Sequence, residues 1–462
     1  MDVTLQNPLP SLARRFLMFS PGMVFIISYL IAILIGSSLL MMPWATKEGH
    51  MAWIDALFTA TSALCVTGLT VVDTGSTFSF YGQVVILTLI ELGGLGIMTF
   101  AALLYLTTGW GISMRQRSFI QETFSSDFLR DIKKLVVFIF SFTFIIELAG
   151  AFLLMPCWNK GFTLGQNIFY SLFHSISAFC NAGFSLFPDS FMGYRNNILL
   201  NMTVTSLVIL GGVGFPVIRE LISAVRTKER IRLSLHTKLT LVVTIVLILF
   251  GTFIFWSLEA NRYMSGLPWW EKILVSYFQS VTTRTAGFNT VDFSLLGNAT
   301  LMFTILLMFI GASPGSAGGG IKTTSAGALF VVLWNRLRGS ETNNVFKATL
   351  PEEIVSRTIT VFIVSIFFII FVLSLLMVEQ QGTVLIAQSR GLFLEYFFEA
   401  VSAFGTVGLS MGITPKMDSL GKFFIIITML VGRLGILTLV YVIINRREAP
   451  RYCYAEENVL IG

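Results

Sequence analysis

Apolar residues run through this chain in stretches long enough to dictate its architecture. A helix needs about 20 apolar residues to cross a bilayer, and runs of that order lie at 21–42, 82–106, 136–156, 196–218, 238–258, 298–333, 357–379 and 419–444. The pattern predicts eight spanning helices. Between the two members of each successive pair lies a shorter amphipathic segment that ends in nearly the same phrase: Thr61-Ser-Ala-Leu-Cys-Val-Thr-Gly68-Leu-Thr70, Ile176-Ser-Ala-Phe-Cys-Asn-Ala-Gly183-Phe-Ser185, Val281-Thr-Thr-Arg-Thr-Ala-Gly287-Phe-Asn289 and Val401-Ser-Ala-Phe-Gly-Thr-Val-Gly408-Leu-Ser410. An aromatic stands ten positions before each glycine, at Phe58, Phe173, Tyr277 and Phe398. A helix of about ten residues is about 15 Å long, so each segment is predicted to enter half a bilayer as a pore helix and to return as a loop.

One unit therefore occurs four times. The predicted fold is an all-α integral membrane protein of four consecutive M1–pore helix–M2 repeats, in pseudo-fourfold arrangement around one central pore, with the third M2 broken. The boundaries read as a cytoplasmic N-terminus at 1–20, repeats at 21–106, 136–218, 238–338 and 357–444, cytoplasmic linkers at 107–135, 219–237 and 339–356, and a cytoplasmic tail at 445–462.

Non-helical backbone at membrane depth is tolerated where it is buried in protein or lines an aqueous cavity, and a ring of backbone carbonyls there is an ion filter. A single glycine loop would read as a tight turn; four with matching flanks read as a pore. The carbonyls assigned to the filter are those of Val66, Thr67 and Gly68, of Asn181, Ala182 and Gly183, of Thr285, Ala286 and Gly287, and of Thr406, Val407 and Gly408. Four half-helix C-termini, each partly negative, would favour a cation in the centre.

A second alignment lies in the second helix of each unit: Gly93-Gly94-Leu95-Gly96, Gly211-Gly212-Val213-Gly214, Gly311-Ala312-Ser313-Pro314 and Gly432-Arg433-Leu434-Gly435. Small residues allow close helix packing, which explains part of the pattern but not Arg433. A charge at helix centre costs about 3 kcal/mol on insertion scales, so Arg433 is expected to face the pore below the filter as a barrier. In the third unit, Gly311-Ala312-Ser313-Pro314-Gly315-Ser316-Ala317-Gly318-Gly319-Gly320, followed by Lys322, cannot hold a continuous helix at low cost. That loop, 311–324, is expected to be a gate. The run from Gly315 to Thr323 nearly matches a phosphate-cradling loop, but Ile321 displaces the lysine by one position and apolar segments replace the strand such loops require.

Composition narrows the class further. The chain is 55% apolar and 12% charged, against about 25% charged in a soluble domain. The first apolar run is too long for a signal-peptide core, and Arg14-Arg15 before it reads as a cytoplasmic anchor. The net charge is +6, with Lys and Arg gathered in alternate loops, which puts both termini in the cytoplasm and offers no case for nucleic acid. Cys65, Cys157, Cys180 and Cys453 are too scattered for a disulfide framework or a metal site; Cys65 and Cys180 read as packing residues. Glu91 is open between pairing with a cation and a helix contact, Glu147 reads as a helix contact, and His174 as satisfied by backbone or water. No nucleophile–base set or paired carboxylates stand out, so no enzyme chemistry is expected.

These residues resemble the Trk/Ktr/HKT superfamily of potassium transport proteins. The likeness covers nearly the whole chain and rests on the four filter stretches, the broken helix at 311–324, Arg433 and the ending Glu457-Asn-Val-Leu-Ile-Gly462. Eight spans without an extra N-terminal pair look like the KtrB-type subunit. The resemblance implies potassium uptake in the bacterial plasma membrane, a homodimer with one pore per protomer, sodium stimulation, and a cytoplasmic KtrA-type regulatory ring that binds the nucleotide, leaving none on this chain. An obligately sodium-coupled symporter is the alternative. The filter departs from four identical T-V-G-Y-G loops, since T-V-G stands only at Thr406-Val407-Gly408, so looser selectivity is expected.

Overall fold

The computed structural model describes residues 21–96, 132–158, 161–226, 233–380 and 386–436. The expected N-terminus at 1–20, most of the 107–135 linker, the 445–462 tail and Cys453 lie outside them. Among the described residues, fourteen helices of twelve residues or more carry the fold. The first unit comprises α1 (Pro21–Leu40), α2 (Trp53–Leu64) and α3 (Phe80–Gly94); the second α4 (Ile132–Leu154), α5 (Leu164–Phe179), α6 (Ile198–Val213) and α7 (Phe215–Arg226). The third comprises α8 (Leu235–Glu259), α9 (Trp269–Thr282), α10 (Asn298–Phe309) and α11 (Thr323–Leu337), and the fourth α12 (Glu352–Gln380), α13 (Ile386–Gly405) and α14 (Ser419–Leu434).

Several helices start at side chains that cap them. Ser79 Oγ accepts the Gly82 amide before α3 at 3.3 Å, Asn197 Oδ1 the Leu200 amide before α6 at 3.1 Å, and Ser234 Oγ the Thr237 amide before α8 at 3.2 Å. Thr163 and Gln166 form a reciprocal capping box ahead of α5.

Among the described residues, three helical stretches are individually long and apolar enough to cross a bilayer: Val136–Cys157, Leu235–Glu259 and Glu352–Gln380. Their outward faces carry Phe144, Phe152, Leu249, Phe253, Phe367 and Phe371, all exposed. These contiguous apolar faces need apolar surroundings.

The helices that follow the glycine loops behave differently. The run expected at 196–218 is not one helix, because α6 and α7 meet at 99° about Gly214, whose φ is +98°. The run expected at 298–333 stops at Phe309 and restarts at Thr323. In the first and fourth units, α3 and α14 end next to Gly96 and Gly435, at φ +74° and +81°. Hydropathy alone predicts continuity at Gly214, where the backbone turns; the interruption between Phe309 and Thr323 falls where the glycines and proline predict it, and the remainders of the runs 82–106 and 419–444 lie outside the described residues.

Backbone sterics explain the small-residue clusters. A Cβ built on Gly93 would overlap the Leu64 carbonyl, one on Gly211 the Phe179 carbonyl and one on Gly432 the Phe404 carbonyl. In three units the exit helix thus lies directly on the last carbonyls of its own pore helix. It also packs on the pore helix of the next unit: α3 on α5, α6 on α9, α10 on α13, and α14 back on α2. The units close into a ring.

Gly211→Ala should lower the unfolding temperature of the detergent-solubilised protein by several degrees, because the added carbon meets backbone that cannot move aside. Gly165→Ala, with nothing within 4 Å of the added carbon, should leave it unchanged. Equal unfolding temperatures for the two variants would refute the close-approach reading.

Candidate functional site

Each glycine loop begins as a helix C-terminus forced to reverse. In the first, second and fourth units the turn is a Schellman motif. Thr67 N bonds Ser62 O at 2.8 Å, Ala182 N bonds Ser177 O at 2.7 Å and Val407 N bonds Ser402 O at 2.8 Å. The residue in the left-handed position is Val66 (φ +55°), Asn181 (φ +59°) or Thr406 (φ +49°). Non-glycine residues rarely go there, and a β-branched one is an outlier that costs on the order of 1–3 kcal/mol. One side chain holds each reversed turn. Ser62 Oγ donates to Leu69 O at 2.7 Å and accepts the Gly68 amide at 3.1 Å. Ser177 Oγ donates to Phe184 O at 2.8 Å, Thr282 Oγ1 to Phe288 O at 2.5 Å, and Ser402 Oγ accepts the Gly408 amide at 3.1 Å.

Alignment on that hydroxyl corrects the sequence reading of the third unit. Its glycine follows Thr282 by five positions, whereas the others follow their serines by six. The closing bond there, Ala286 N to Thr282 O at 3.0 Å, spans four residues rather than five, and the left-handed residue is Thr285 at φ +68°. The buried aromatic that matches Phe58, Phe173 and Phe398 is therefore Phe278, not Tyr277, which is half-buried. The signal was present in the sequence: aligning hydroxyls rather than glycines finds it.

The four glycines meet. A Cβ built on Gly68 would stand 2.5 Å from Ala182 O, one on Gly183 2.9 Å from Ala286 O, and one on Gly287 2.6 Å from Val407 O, while one on Gly408 would overlap Thr67 O. Each glycine thus faces the carbonyl of the residue just before the next unit's glycine, and the fourth faces the first. All four have positive φ, between +69° and +89°. The four loops that carry the residues assigned to the filter are brought together at these glycines.

Directly beneath lies the loop of the third unit. Its backbone bonds reach the second and fourth units: Ser313 N to Gly212 O at 3.0 Å, Ala317 N to Gly211 O at 3.1 Å, Phe215 N to Gly315 O at 3.0 Å, and Gly320 N to Gly432 O at 3.3 Å. It also touches the ring. Gly319 N donates to Thr406 Oγ1 at 2.9 Å, and a Cβ on Gly318 would overlap Thr285 Oγ1. The Asn181 amide lies 3.2 Å from the same Thr285 hydroxyl. Arg433 is buried and donates to the Ala317 carbonyl of the loop and to the Gly93 carbonyl of the first unit. Lys322 Nζ donates to Gly318 O at 2.9 Å. The residues assigned to the gate thus lie together, and through Arg433 their bonds extend to all four units.

Two features escaped the sequence reading. At the first turns of the first and third pore helices, ion pairs join neighbouring units, with Lys422 Nζ 2.7 Å from Asp55 Oδ1 and Arg195 Nε 2.9 Å from Glu271 Oε1. Behind the second turn, Glu91, Glu147 and Cys180 gather ligand atoms within 4.8 Å of one another, the Cys180 thiol lying 3.6 Å from Glu91 Oε2 and 3.8 Å from Glu147 Oε1. Cys65 is a packing residue as expected, but Cys180 also meets these two carboxyls. His174 is satisfied by the Tyr170 carbonyl at 2.8 Å and the Leu186 amide at 3.2 Å.

Known proteins share this architecture. The sequence model of the TrkH family, described as Cation transport protein, matches residues 13–452. The Ktr system potassium uptake protein B of Bacillus subtilis is 40% identical over 450 residues, which cover 97% of this chain and 98% of that protein. The potassium/sodium uptake protein NtpJ of Enterococcus hirae is 38% identical over 450 residues, covering 96% and 97%. The fold is similar to the crystal structure of the potassium transporter TrkH from Vibrio parahaemolyticus, with a TM-score of 0.69 at 19% identity over 92% of this chain and 84% of that one.

Removing the Arg433 side chain should free the loop below the ring. In Arg433→Ala, the amides of Ser313 and of residues 315–320 should exchange with deuterium about tenfold faster or more, the equivalent of losing one hydrogen bond from a charged donor. Exchange at the wild-type rate would show that the loop is held by its backbone bonds alone.

Proposed function

We propose, from the premise that the chain belongs to the TrkH family of cation transport proteins, that it is the membrane subunit of a potassium uptake system and works as a gated channel. The observation that carries this reading is the closed ring of Gly68, Gly183, Gly287 and Gly408. Carbonyls of the twelve filter residues replace water around K⁺ as it passes, and the membrane potential drives it inward. The plug at 311–320, with Lys322 and Arg433, sets two cations beneath the filter and closes the path until it moves aside. The family is one of transport proteins, not enzymes. As the resemblance implies, the subunit works as a homodimer, with both termini in the cytoplasm, on a nucleotide-binding ring of the KtrA type; co-purification of the chain with such a ring tests that part.

The 38% identical relative is named for potassium and sodium uptake, and this favours a role for sodium. Flux into liposomes separates the two forms of that role. At fixed voltage, collapse of the sodium gradient leaves potassium flux running in a channel that sodium merely stimulates, and abolishes it in an obligately coupled symporter.

Serine in place of any of the four ring glycines should lower potassium-over-sodium discrimination, since each added side chain meets a neighbouring carbonyl. Unaltered selectivity in all four variants would remove the filter assignment. Gly318→Ala should push the loop away from Thr285 and raise or deregulate potassium flux; flux and regulation equal to wild type would count against the gate.

A further inference from the structure

With the walls aligned on Ser62, Ser177, Thr282 and Ser402, the pore-helix residues three positions earlier are Thr59, His174, Gln279 and Glu399. All four are polar and all four are buried. Burying a polar side chain is unfavourable unless it is hydrogen-bonded, so the partners reveal what each one does. His174 Nε2 accepts the Leu186 amide at 3.2 Å and lies 3.1 Å from Ser185 Oγ. Gln279 Nε2 donates to Thr290 Oγ1 at 2.8 Å. The Glu399 carboxyl bonds the Thr414 hydroxyl, whose Oγ1 lies 3.2 Å from Ser410 Oγ. Ser185, Thr290 and Ser410 stand two or three positions beyond their glycines. In these units, then, the pore helix reaches across to the strand that leaves the ring. Thr59 differs, because its hydroxyl bonds the Asp55 carbonyl of its own helix at 2.8 Å.

We propose that Glu399, together with His174 and Gln279, is a positioning residue for ion discrimination, tying the outgoing strand of its filter loop to the pore helix behind it. The inference rests on the ring being an ion filter. Such a filter discriminates through the spacing and field of its carbonyls, and both depend on a strand that stays in place. In the fourth unit the incoming half is held by Ser402, and Glu399 holds the outgoing half through Thr414. The first wall has no such tie from position 59, so the four walls are unequally braced.

Selectivity measured in liposomes tests this without relying on loss of activity. Glu399→Ala should lower the potassium-to-sodium flux ratio about three- to tenfold, as expected for one lost hydrogen bond, while potassium still passes. Glu399→Gln keeps an acceptor for Thr414 and should restore the ratio to within about twofold. Thr414→Val should reproduce the loss, and the double variant Glu399→Ala, Thr414→Val should be no worse than either single one, since both remove the same bond. Thr59→Val should leave the ratio unchanged. Wild-type selectivity in both Glu399→Ala and Thr414→Val, or equal damage from Glu399→Gln and Glu399→Ala, overturns the proposal. Should Glu399→Ala fail to insert, Thr414→Val decides by itself. Wild-type protein that passes no potassium would instead refute the transport function.

Discussion

A polypeptide that turns round inside an apolar slab has to find a partner for every amide it carries, and four such reversals sit at the centre of this molecule. Each is held by a hydroxyl in the last turn of the pore helix, which ties the loop back to the helix it has left. Ser62 makes two such bonds, each worth about 1 kcal/mol net. That is comparable with the strain of placing Val66 in the left-handed region, so the turn holds because its own side chain offsets its geometry. With the amides of Thr67, Gly68, Ala182, Ala286, Val407 and Gly408 bonded within their own loops, the carbonyl before each glycine stands against the glycine of a neighbouring wall.

Packing follows from that arrangement. Because the pore-helix carbonyls end blindly at the turn, the exit helix can lie on them only if it has no side chain there, and Gly93, Gly211 and Gly432 meet the requirement. The same closeness exhausts the straight helix, which breaks at Gly214 and ends beside Gly96 and Gly435. In the third unit the break widens into the plug. The exposed faces of α4, α8 and α12 carry bulky apolar residues, and the chain is a membrane protein.

Much of this was legible in the residues. The repeat of four phrases located the ring, and the glycines and proline located the break in the third unit; the lone arginine, expected as a barrier facing the pore, donates to carbonyls of the third-unit loop and of the first unit. What hydropathy could not reveal depends on backbone angles and on distances between remote segments. The run 196–218 reads as one apolar helix because the feature that breaks it is a single φ value. Tyr277 was aligned in place of Phe278 because counting from the glycine hides a turn one residue shorter. Glu91, Glu147 and Cys180 come from three different elements, and no spacing along the chain predicts their meeting.

The glycine-to-carbonyl contacts within the ring run in one rotational sense. Gly68 faces Ala182, Gly183 faces Ala286, Gly287 faces Val407 and Gly408 faces Thr67, so the ring has a handedness that four mirror-related walls would lack. Gly287 departs from this, since a Cβ there would also stand 2.9 Å from Gly183 Cα in the wall behind. Bulk at Gly68, Gly183 or Gly408 therefore presses first on the wall ahead, whereas bulk at Gly287 presses on the walls at both sides.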